Sequence, residues 1–148
     1  MEFKLWLELQ IKDTKIGKAV FADKDYKKGD KVFSFKGETI TKDEIIDPNH
    51  VIQISKDKYL DKSGDFDDYA NHSCNPNCGI RGRDLIAIRT IKKGDEITWD
   101  YSTTIDDDWE MKCKCGESNC RRTVKRFDKI PDRYIKLNIV PNYVRSRK

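Results

Sequence analysis

Short runs in which hydrophobic and polar residues alternate dominate the first hundred residues, and this period of two predicts β-strands. The runs are LWLELQI, KAVFA, KVFSF, VIQIS, LIAIRTI and EITWDY. Turn signals such as YKKGD, KSGD, NPN, RGRD and KKGD separate them at intervals too short for many helices. Only TKDEIID predicts a short helix, with Thr41 as its cap and Glu44 three residues later. The pattern therefore predicts a mostly β chain built from small open sheets.

The pattern changes after Cys120, where the chain continues as a basic C-terminal extension. Its segments are KRFDKI, PDRYIKLN and VPNYVRSRK, and Pro131 is suited to the first turn of a short helix. Two earlier phrases, YKKGDKV and IKKGDEI, resemble each other as turns that lead into strands. They are too short and isolated to predict a repeat architecture.

Size and composition favour one folded domain. The chain has 148 residues, of which 36% are hydrophobic, 10% aromatic and 38% charged. This supports a single core and a soluble protein. No run approaches the roughly 18 to 20 apolar residues of a membrane span, and the start MEFKLWLELQIKD lacks the features of a signal peptide. We therefore expect an intracellular protein that makes no contact with a membrane.

Charge is distributed unevenly along the chain. From Met111 onward there are 12 lysines and arginines against 3 acidic residues, so the net charge of +4 combines a basic tail with an acidic body. An acidic body could steer a cationic protein substrate, and a basic tail could contact phosphates weakly. Solvated faces without a specific partner would explain the same asymmetry.

Three of the five cysteines form the cluster C-x-C-x4-C, at Cys113, Cys115 and Cys120. In a reducing compartment such spacing favours metal ligation, although disulfides or free thiols remain alternatives. Structural zinc prefers four ligands, so a fourth must come from elsewhere in the chain. The candidates are Cys74, Cys78, His72 and His50.

Two further phrases are specific when they are taken together with this cluster. NHSCNPNC occupies residues 71–78, and GDEITWDY occupies residues 94–101. With the cysteine cluster they resemble the SET-domain protein lysine methyltransferases, in which a post-SET zinc motif follows the same two phrases. Upstream, GKAVFA and YKKGDKVFSFKGE are similar to that family's cofactor strand and the stretch after it. The C-terminal extension resembles that of compact stand-alone members of microbial type.

The resemblance implies a fold of small curved β-sheets around a pseudoknot, in which the NHSC segment is threaded beside GDEITWDY. It also implies a zinc-binding post-SET segment and short C-terminal helices. We therefore expect a SET domain over residues 1–110, followed by the zinc segment and basic extension over residues 111–148. In the family the cysteine of NHSC is the fourth zinc ligand, which selects Cys74 here.

The same resemblance implies roles for individual residues. Tyr101 corresponds to the catalytic tyrosine. The cofactor S-adenosylmethionine would be bound by Gly17, Lys18, Ala19, Asn71, His72 and Trp109. The substrate channel would include Trp99, His50 and Tyr69. One structural zinc ion would be bound by Cys74, Cys113, Cys115 and Cys120.

Several positions depart from the family pattern. Ala19 stands in place of the second glycine of the cofactor strand, and Asp68–Tyr69 stands in place of Arg-Phe. His50 takes the place of a channel tyrosine, Trp99 that of a phenylalanine or tyrosine, and Arg122 that of a glycine. The loss of an arginine at position 68 removes one cofactor contact that many members have.

The implied function is transfer of a methyl group from S-adenosylmethionine to a lysine of histone tails or other basic chromatin proteins. Two alternatives belong to other classes: a catalytically silent SET module that binds peptide or chromatin, and a zinc-stabilised nucleic-acid binder. The expected location is nuclear or chromatin-associated in a eukaryote and cytoplasmic in a microbe.

Overall fold

The structure is a computed structural model that describes residues 9–132 and 138–145. Its strands confirm the prediction of a mostly β fold: β1 (Gln10–Thr14), β2 (Gly17–Phe21), β3 (Lys31–Ser34), β4 (Thr39–Thr41), β5 (Ile52–Gln53), β6 (Lys58–Leu60), β7 (Asn71–His72), β8 (Cys78–Arg81), β9 (Asp84–Ala87), β10 (Thr98–Trp99), β11 (Met111–Lys112) and β12 (Thr123–Val124). Helical structure in the described ranges consists of 3-10 turns at Lys42–Glu44, Pro48–His50, Phe66–Tyr69, Tyr101–Thr103 and Phe127–Lys129, and of one α-helical turn, Asn142–Arg145.

The strands form four small sheets. The largest has five strands in the order β3-β9-β8-β10-β7. A hairpin of β1 and β2, a three-stranded sheet in the order β4-β6-β5, and a pair of β11 and β12 make up the other three. Each sheet is too small to bury its apolar residues alone, so three of the sheets share the main core, while Val124 of β12 packs with Cys74 and Cys113.

That core is aliphatic at its centre and aromatic towards one side. Val20, Leu85 and Ile97 are fully buried, and Phe33 and Phe35 pack edge to face with their ring centroids 5.2 Å apart. Burial of one such side chain contributes about 1.5–3 kcal/mol to the stability of the folded state. The alternating runs of the sequence therefore supply the inward faces of these sheets.

The segment that contains NHSC, residues 71–78, is threaded beside strand β10, and we call it the threaded segment. Strand β10 runs parallel to both β7 and β8, with Thr98 opposite Asn71 and Trp99 opposite His72. Asn77 fixes this arrangement, because its amide nitrogen donates to the Glu96 carbonyl at 2.8 Å and its side-chain oxygen accepts from the Thr98 amide at 3.0 Å. The predicted placement of NHSC beside GDEITWDY is confirmed.

The two similar turns, residues 27–30 and 92–95, lie side by side. Backbone hydrogen bonds of 2.8 and 2.9 Å join Tyr26 and Ile91, the residues just before the two turns. In each turn an aspartate, Asp30 or Asp95, accepts a hydrogen bond from the first lysine's backbone amide. Related sequence phrases therefore give related local structures without a repeated domain.

Several predicted elements are shorter than their sequence patterns. The first strand begins at Gln10, and residues 1–8 lie outside the described residues. EITWDY contains only the two residues of β10, because Asp100 accepts from the Ser102 amide and starts a 3-10 turn. The predicted helix in TKDEIID is a single 3-10 turn, Lys42–Glu44, in which Glu44 accepts from the Thr41 amide at 2.9 Å.

The C-terminal extension packs back onto the domain. Phe127, Ile130, Val140 and Val144 form a second small apolar cluster, and the Tyr143 hydroxyl donates to the backbone carbonyl of Thr104 at 2.5 Å. Residues 133–137, where most of the helix predicted after Pro131 would fall, lie outside the described residues. Across the part of the chain that the structure describes, no helix is long and apolar enough to span a bilayer.

Candidate active site and zinc centre

One large cavity of about 1280 Å³ lies between the hairpin β1–β2, the threaded segment and the start of the zinc segment. Eight of the predicted cofactor, channel and catalytic residues line it: Lys18, His50, Tyr69, Asn71, His72, Trp99, Tyr101 and Trp109. Gly17 and Ala19 do not line it. The cavity is larger than the roughly 300–1,000 Å³ of most ligand pockets, so it has room for a cofactor together with a substrate side chain.

Tyr101 is held by hydrogen bonds at both its backbone and its ring. Its hydroxyl donates to the Ala70 carbonyl at 2.8 Å, and its backbone amide donates to Nδ1 of His72 at 3.1 Å. Its ring lies 4.7 Å from the Trp99 ring, measured between centroids. Burial raises the pKa of the phenol above its usual range. Tyr101 is therefore a fixed, neutral hydroxyl in the cavity wall.

Asn71 and Lys18 connect the cavity wall to the hairpin. The Asn71 amide nitrogen donates to the Lys18 carbonyl at 2.8 Å. Asn71 also forms a hydrogen bond with the half-buried carboxyl of Glu96. Burial raises the pKa of this carboxyl, and the hydrogen bond from Asn71 offsets part of the increase. Because the Asn71 side chain already has these two protein partners, its position is fixed before any ligand binds.

The four cysteines predicted as metal ligands converge at one point. Their sulfur atoms all lie within 4.8 Å of one another, and Sγ of Cys74 is 3.8 Å from Sγ of Cys113. In a tetrahedral site with zinc–sulfur bonds of about 2.3 Å, the sulfurs are about 3.8 Å apart. Cys74 and Cys113 are buried, and Cys115 and Cys120 are partly exposed. The residues fit a structural zinc ion.

The pKa values of the thiols at this site differ from one another. Burial raises the pKa of the Cys74 thiol to about 11, while backbone hydrogen bonding lowers that of Cys120 to about 7. The Arg121 backbone amide donates to Cys74 Sγ at 3.3 Å. A bound zinc ion favours the thiolate form, so metal binding at this site releases protons.

The family described as "SET domain" matches residues 17–102.

The chain belongs to the SET domain family.

Proteins similar to this chain are named as histone-lysine N-methyltransferases or as SET domain-containing proteins. Histone-lysine N-methyltransferase set-2 of Caenorhabditis elegans is 45% identical over 84 residues, which are 51% of this chain and 5% of that protein. The variant-silencing SET domain-containing protein of Plasmodium falciparum is 32% identical over 139 residues, which are 76% of this chain and 5% of that protein. This SET domain chain thus spans about a twentieth of the length of these two relatives.

Solved structures agree with the SET domain fold. The crystal structure of KRYPTONITE in complex with mCHG DNA and SAH has a TM-score of 0.60 at 24% sequence identity, covering 76% of this chain and 27% of that one. A second KRYPTONITE complex, with mCHH DNA, H3(1-15) peptide and SAH, has a TM-score of 0.61 at 22% identity and covers 79% and 30% of the two chains.

Departures from the SET domain pattern have local explanations. Asp68 accepts from the backbone amides of Ser63 and Gly64 at 2.8 and 2.7 Å, so it stabilises the turn that precedes the threaded segment. Ala19 is fully buried in β2. Arg122 adopts a φ of 70°, a left-handed conformation that glycine adopts without strain. Asp68 and Arg122 thus have local backbone roles and Ala19 lies in the core, while Asp68 also lines the cavity.

Gly17 has a φ of 117°, a conformation that favours glycine and follows from its place in the β1–β2 hairpin. No protein atom lies within 4 Å of the position that a Cβ would occupy there. The Lys18 side chain is exposed, and its ammonium lies 3.4 Å from the Asp13 carboxylate.

The predicted channel residues occupy different parts of this SET domain cavity. The Trp99 indole is buried and donates to the Ala70 carbonyl at 3.3 Å, so Ala70 accepts from both Trp99 and Tyr101. Tyr69 and His50 lie in the more exposed part, where Nδ1 of His50 is 2.5 Å from the Asp47 carboxylate. Further along, the Trp109 indole donates to the Asn49 side-chain oxygen at 3.1 Å.

Two charged residues of the site were missed from sequence alone. Arg121 forms a bidentate ion pair with Asp100, with both nitrogen–oxygen distances at 2.8 Å, and Asp100 is almost fully buried. This pair joins the zinc segment directly to the residue before Tyr101. A signal was available in the sequence, because each charge is adjacent to a predicted site residue, Tyr101 or Cys120.

Proposed function

We propose that this chain is an S-adenosylmethionine-dependent protein-lysine N-methyltransferase. One observation carries the proposal: the neutral Tyr101 hydroxyl is fixed on the Ala70 carbonyl in the wall of a cavity large enough for a cofactor and a lysine side chain. Membership of the SET domain family and the names of the relatives support the same reaction.

The cofactor would bind on the side of the cavity that is formed by the β1–β2 hairpin. There we propose contacts from Lys18 and from the Asn71–His72 strand, and the aromatic face of Trp109 would cover the adenine. Gly17 and Ala19 would act indirectly, because they shape β2 and do not line the cavity. When bound, S-adenosylmethionine supplies a methyl group that an amine nitrogen accepts as the carbon–sulfur bond breaks.

The chain's own residues would align the lysine for that transfer. Because the Tyr101 proton is donated to Ala70, the lone pairs of its oxygen can accept a hydrogen bond from the lysine amine. Trp99, Tyr69 and His50 would line the entry for the side chain. Catalysis would thus depend mainly on orientation and on fixed dipoles near the reacting atoms.

The lysine must lose a proton before it attacks. With an ordinary pKa of about 10.4, on the order of one lysine amine in a thousand is neutral at pH 7.4. Burial in the cavity would lower that pKa. Tyr101 would not act as the base at neutral pH, because burial raises its own pKa above the usual range. The proton would leave to solvent through the open cavity.

For the substrate, we propose histone tails or other basic chromatin proteins, and with them a nuclear or chromatin-associated location in a eukaryotic cell. The relatives named as histone-lysine N-methyltransferases support this. The basic tail would add a weak contact with nucleic acid.

We also propose that two parts of the chain have separate roles in the site. Residues 1–110 would carry the cofactor strand and Tyr101, while residues 111–148 would close the site through zinc and the basic extension. The family match over residues 17–102 supports the first part. The cluster of Cys74 with three cysteines of residues 113–120 supports the second.

Labelled S-adenosylmethionine, incubated with the chain and a panel of histones, tests the activity. We expect label on lysine, and a loss of at least a hundredfold in rate for Tyr101→Phe. Tyr26→Phe is the matched control, because Tyr26 is also buried and bonded through its hydroxyl but lies outside the cavity. Transfer that persists in Tyr101→Phe would overturn the role of Tyr101.

A catalytically silent SET module that binds peptide or chromatin is the second candidate, motivated by Asp68 in place of the usual arginine. It predicts that the chain binds histone peptide without transferring a methyl group. The nucleic-acid binder predicts instead an affinity for DNA that falls steeply with salt, with or without cofactor. Labelling of lysine in the first experiment would exclude the silent module.

A further inference from the structure

We propose that His72 is a positioning residue that couples the zinc centre to Tyr101 through a fixed tautomer of its imidazole ring. This inference rests on the proposed function, because Tyr101 matters to it as the residue that aligns the lysine. It gives the His72 side chain a role beside any contact of its backbone with the cofactor.

The backbone of Tyr101 determines the tautomer. A backbone amide can only donate, and the Tyr101 amide points at Nδ1 of His72 with a nitrogen–nitrogen distance of 3.1 Å. Nδ1 must therefore carry a lone pair and no proton. In a neutral imidazole the proton then resides on Nε2.

The second nitrogen of the ring faces a predicted metal ligand. Nε2 of His72 lies 3.3 Å from Sγ of Cys74. With its proton on Nε2, the ring donates an N–H to sulfur, and a zinc-bound thiolate is a better acceptor than a thiol. One ring thus links the sulfur of Cys74 to the backbone of Tyr101.

The surroundings exclude the opposite tautomer. The nearest carboxylate, Asp100, is 3.6 Å from Nδ1 and could in principle accept a proton from it. Its two oxygens, however, already accept from the Arg121 guanidinium and from the Ser102 amide. Asp100 is therefore satisfied without His72.

Burial and packing prevent the ring from turning over. The His72 side chain is 2% exposed, its backbone is paired with Trp99 in the parallel ladder, and its ring packs edge to face against the Tyr101 ring. A displacement of the Cys74 sulfur would therefore be transmitted through a rigid ring to the Tyr101 backbone.

Two substitutions separate the ends of this link. His72→Asn places an amide oxygen near the Nδ1 position, which preserves the acceptor for the Tyr101 amide but loses the donor to Cys74. His72→Gln places an amide nitrogen near the Nε2 position, which preserves the donor to Cys74 but loses the acceptor. His50→Gln is the matched control, because His50 is exposed and bonds to Asp47 rather than to a zinc cysteine or to the Tyr101 amide.

Two quantities are measured on the zinc-loaded full chain: the rate of zinc release and the rate of hydrogen exchange at the Tyr101 amide. Neither measurement requires methyl transfer. For His72→Asn we expect zinc release to a chelating dye to be about tenfold faster or more, with little change in hydrogen exchange at the Tyr101 amide. For His72→Gln we expect near-normal zinc release and about tenfold faster exchange at that amide. His50→Gln should change neither quantity.

Nitrogen-15 spectra of the wild-type imidazole test the tautomer without any variant, and so decide the question even if both substitutions prevent folding. We expect His72 to be protonated on Nε2 alone. Protonation on Nδ1 would overturn the proposal, as would equal changes in both readouts for the two variants. If these results hold but no lysine is methylated, the proposed function fails and the coupling stands.

Discussion

Arg122 has a φ of 70°, the one left-handed φ outside glycine among the described residues. Such a conformation costs a residue with a side chain about 1 kcal/mol or more. Its carbonyl accepts from the Cys113 amide at 2.8 Å, so the strained residue also anchors the first zinc cysteine of the segment. The zinc segment therefore contains a residue, Arg122, with a strained backbone conformation.

Replacement of Arg122 by glycine should stabilise the chain. We expect the free energy of unfolding to rise by about 0.5–1 kcal/mol, because glycine adopts the left-handed conformation without strain but loses more entropy on folding. Urea unfolding of the zinc-loaded protein measures the change. Lys114→Gly is the matched control, because its φ is negative, and it should be neutral or destabilising. An equal gain in both variants would contradict this explanation.

The sequence predicted the residues of the site better than it predicted their contacts. Cys74, Tyr101 and the three later cysteines belong to motifs with characteristic spacing. The ion pair of Asp100 with Arg121, in contrast, joins residues 21 positions apart in the chain. Only the folded arrangement shows that this acid and this base meet, because either could equally be solvated.

At the scale of elements, the zinc segment is attached to the threaded segment at several points. Beyond the shared metal cluster, the Asn119 amide donates to the Cys74 carbonyl at 3.1 Å, and Arg121 bonds to Cys74 through its backbone and to Asp100 through its side chain. Cys74 is thus the centre of the attachment, whereas Cys78 is buried in β8.

Substitutions of these two cysteines should have opposite consequences for the metal. Cys74→Ser should reduce bound zinc well below one ion per chain and lower methyl transfer at least tenfold. Cys78→Ser should retain one zinc ion, although a hydroxyl in the core would cost about 1–3 kcal/mol of stability. Metal content measured by mass spectrometry distinguishes them. Full zinc occupancy in Cys74→Ser, with loss in Cys78→Ser, would show that the fourth ligand is Cys78.

Alternation of apolar and polar residues predicted the longer strands β1, β2, β3 and β9, although β1 is almost entirely exposed and β9 almost entirely buried. It did not reveal β7, β11 or β12, which have only two residues each, whereas the equally short β5 and β10 fall inside the predicted runs VIQIS and EITWDY. Strands this short are defined by their partners, as Thr98 and Trp99 are by Asn71 and His72. Their pairing depends on the threading of the chain, which local sequence does not encode.

Across the whole molecule, the sheet core and the zinc centre are separate packing units. The main apolar core contains Val20, Leu85 and Ile97, and it does not include any of the four zinc cysteines. Cys74 and Cys113 belong to a small cluster with Val124. The stability of the five-stranded sheet therefore depends little on the metal.

Removal of zinc should consequently impair function before it unfolds the protein. On titration with a chelator we expect methyl transfer to fall at least tenfold while hydrogen exchange in β8 and β9 stays slow. Exchange and activity are measured on the same samples, and readdition of zinc should restore activity. Simultaneous loss of activity and of protection in the sheet would contradict the separation of the two units.

The position of the zinc ligands along the chain has a consequence for synthesis. Cys74 leaves the ribosome while Cys113, Cys115 and Cys120 are still to be made, so a nascent chain can pair its sheet strands but cannot yet assemble the four-sulfur centre. Attachment of the zinc segment to Cys74 then waits until those three cysteines have been made. A nascent chain that stops before Cys113 therefore contains Tyr101 and both of its hydrogen-bond partners, Ala70 and His72, but lacks three of the four sulfur ligands.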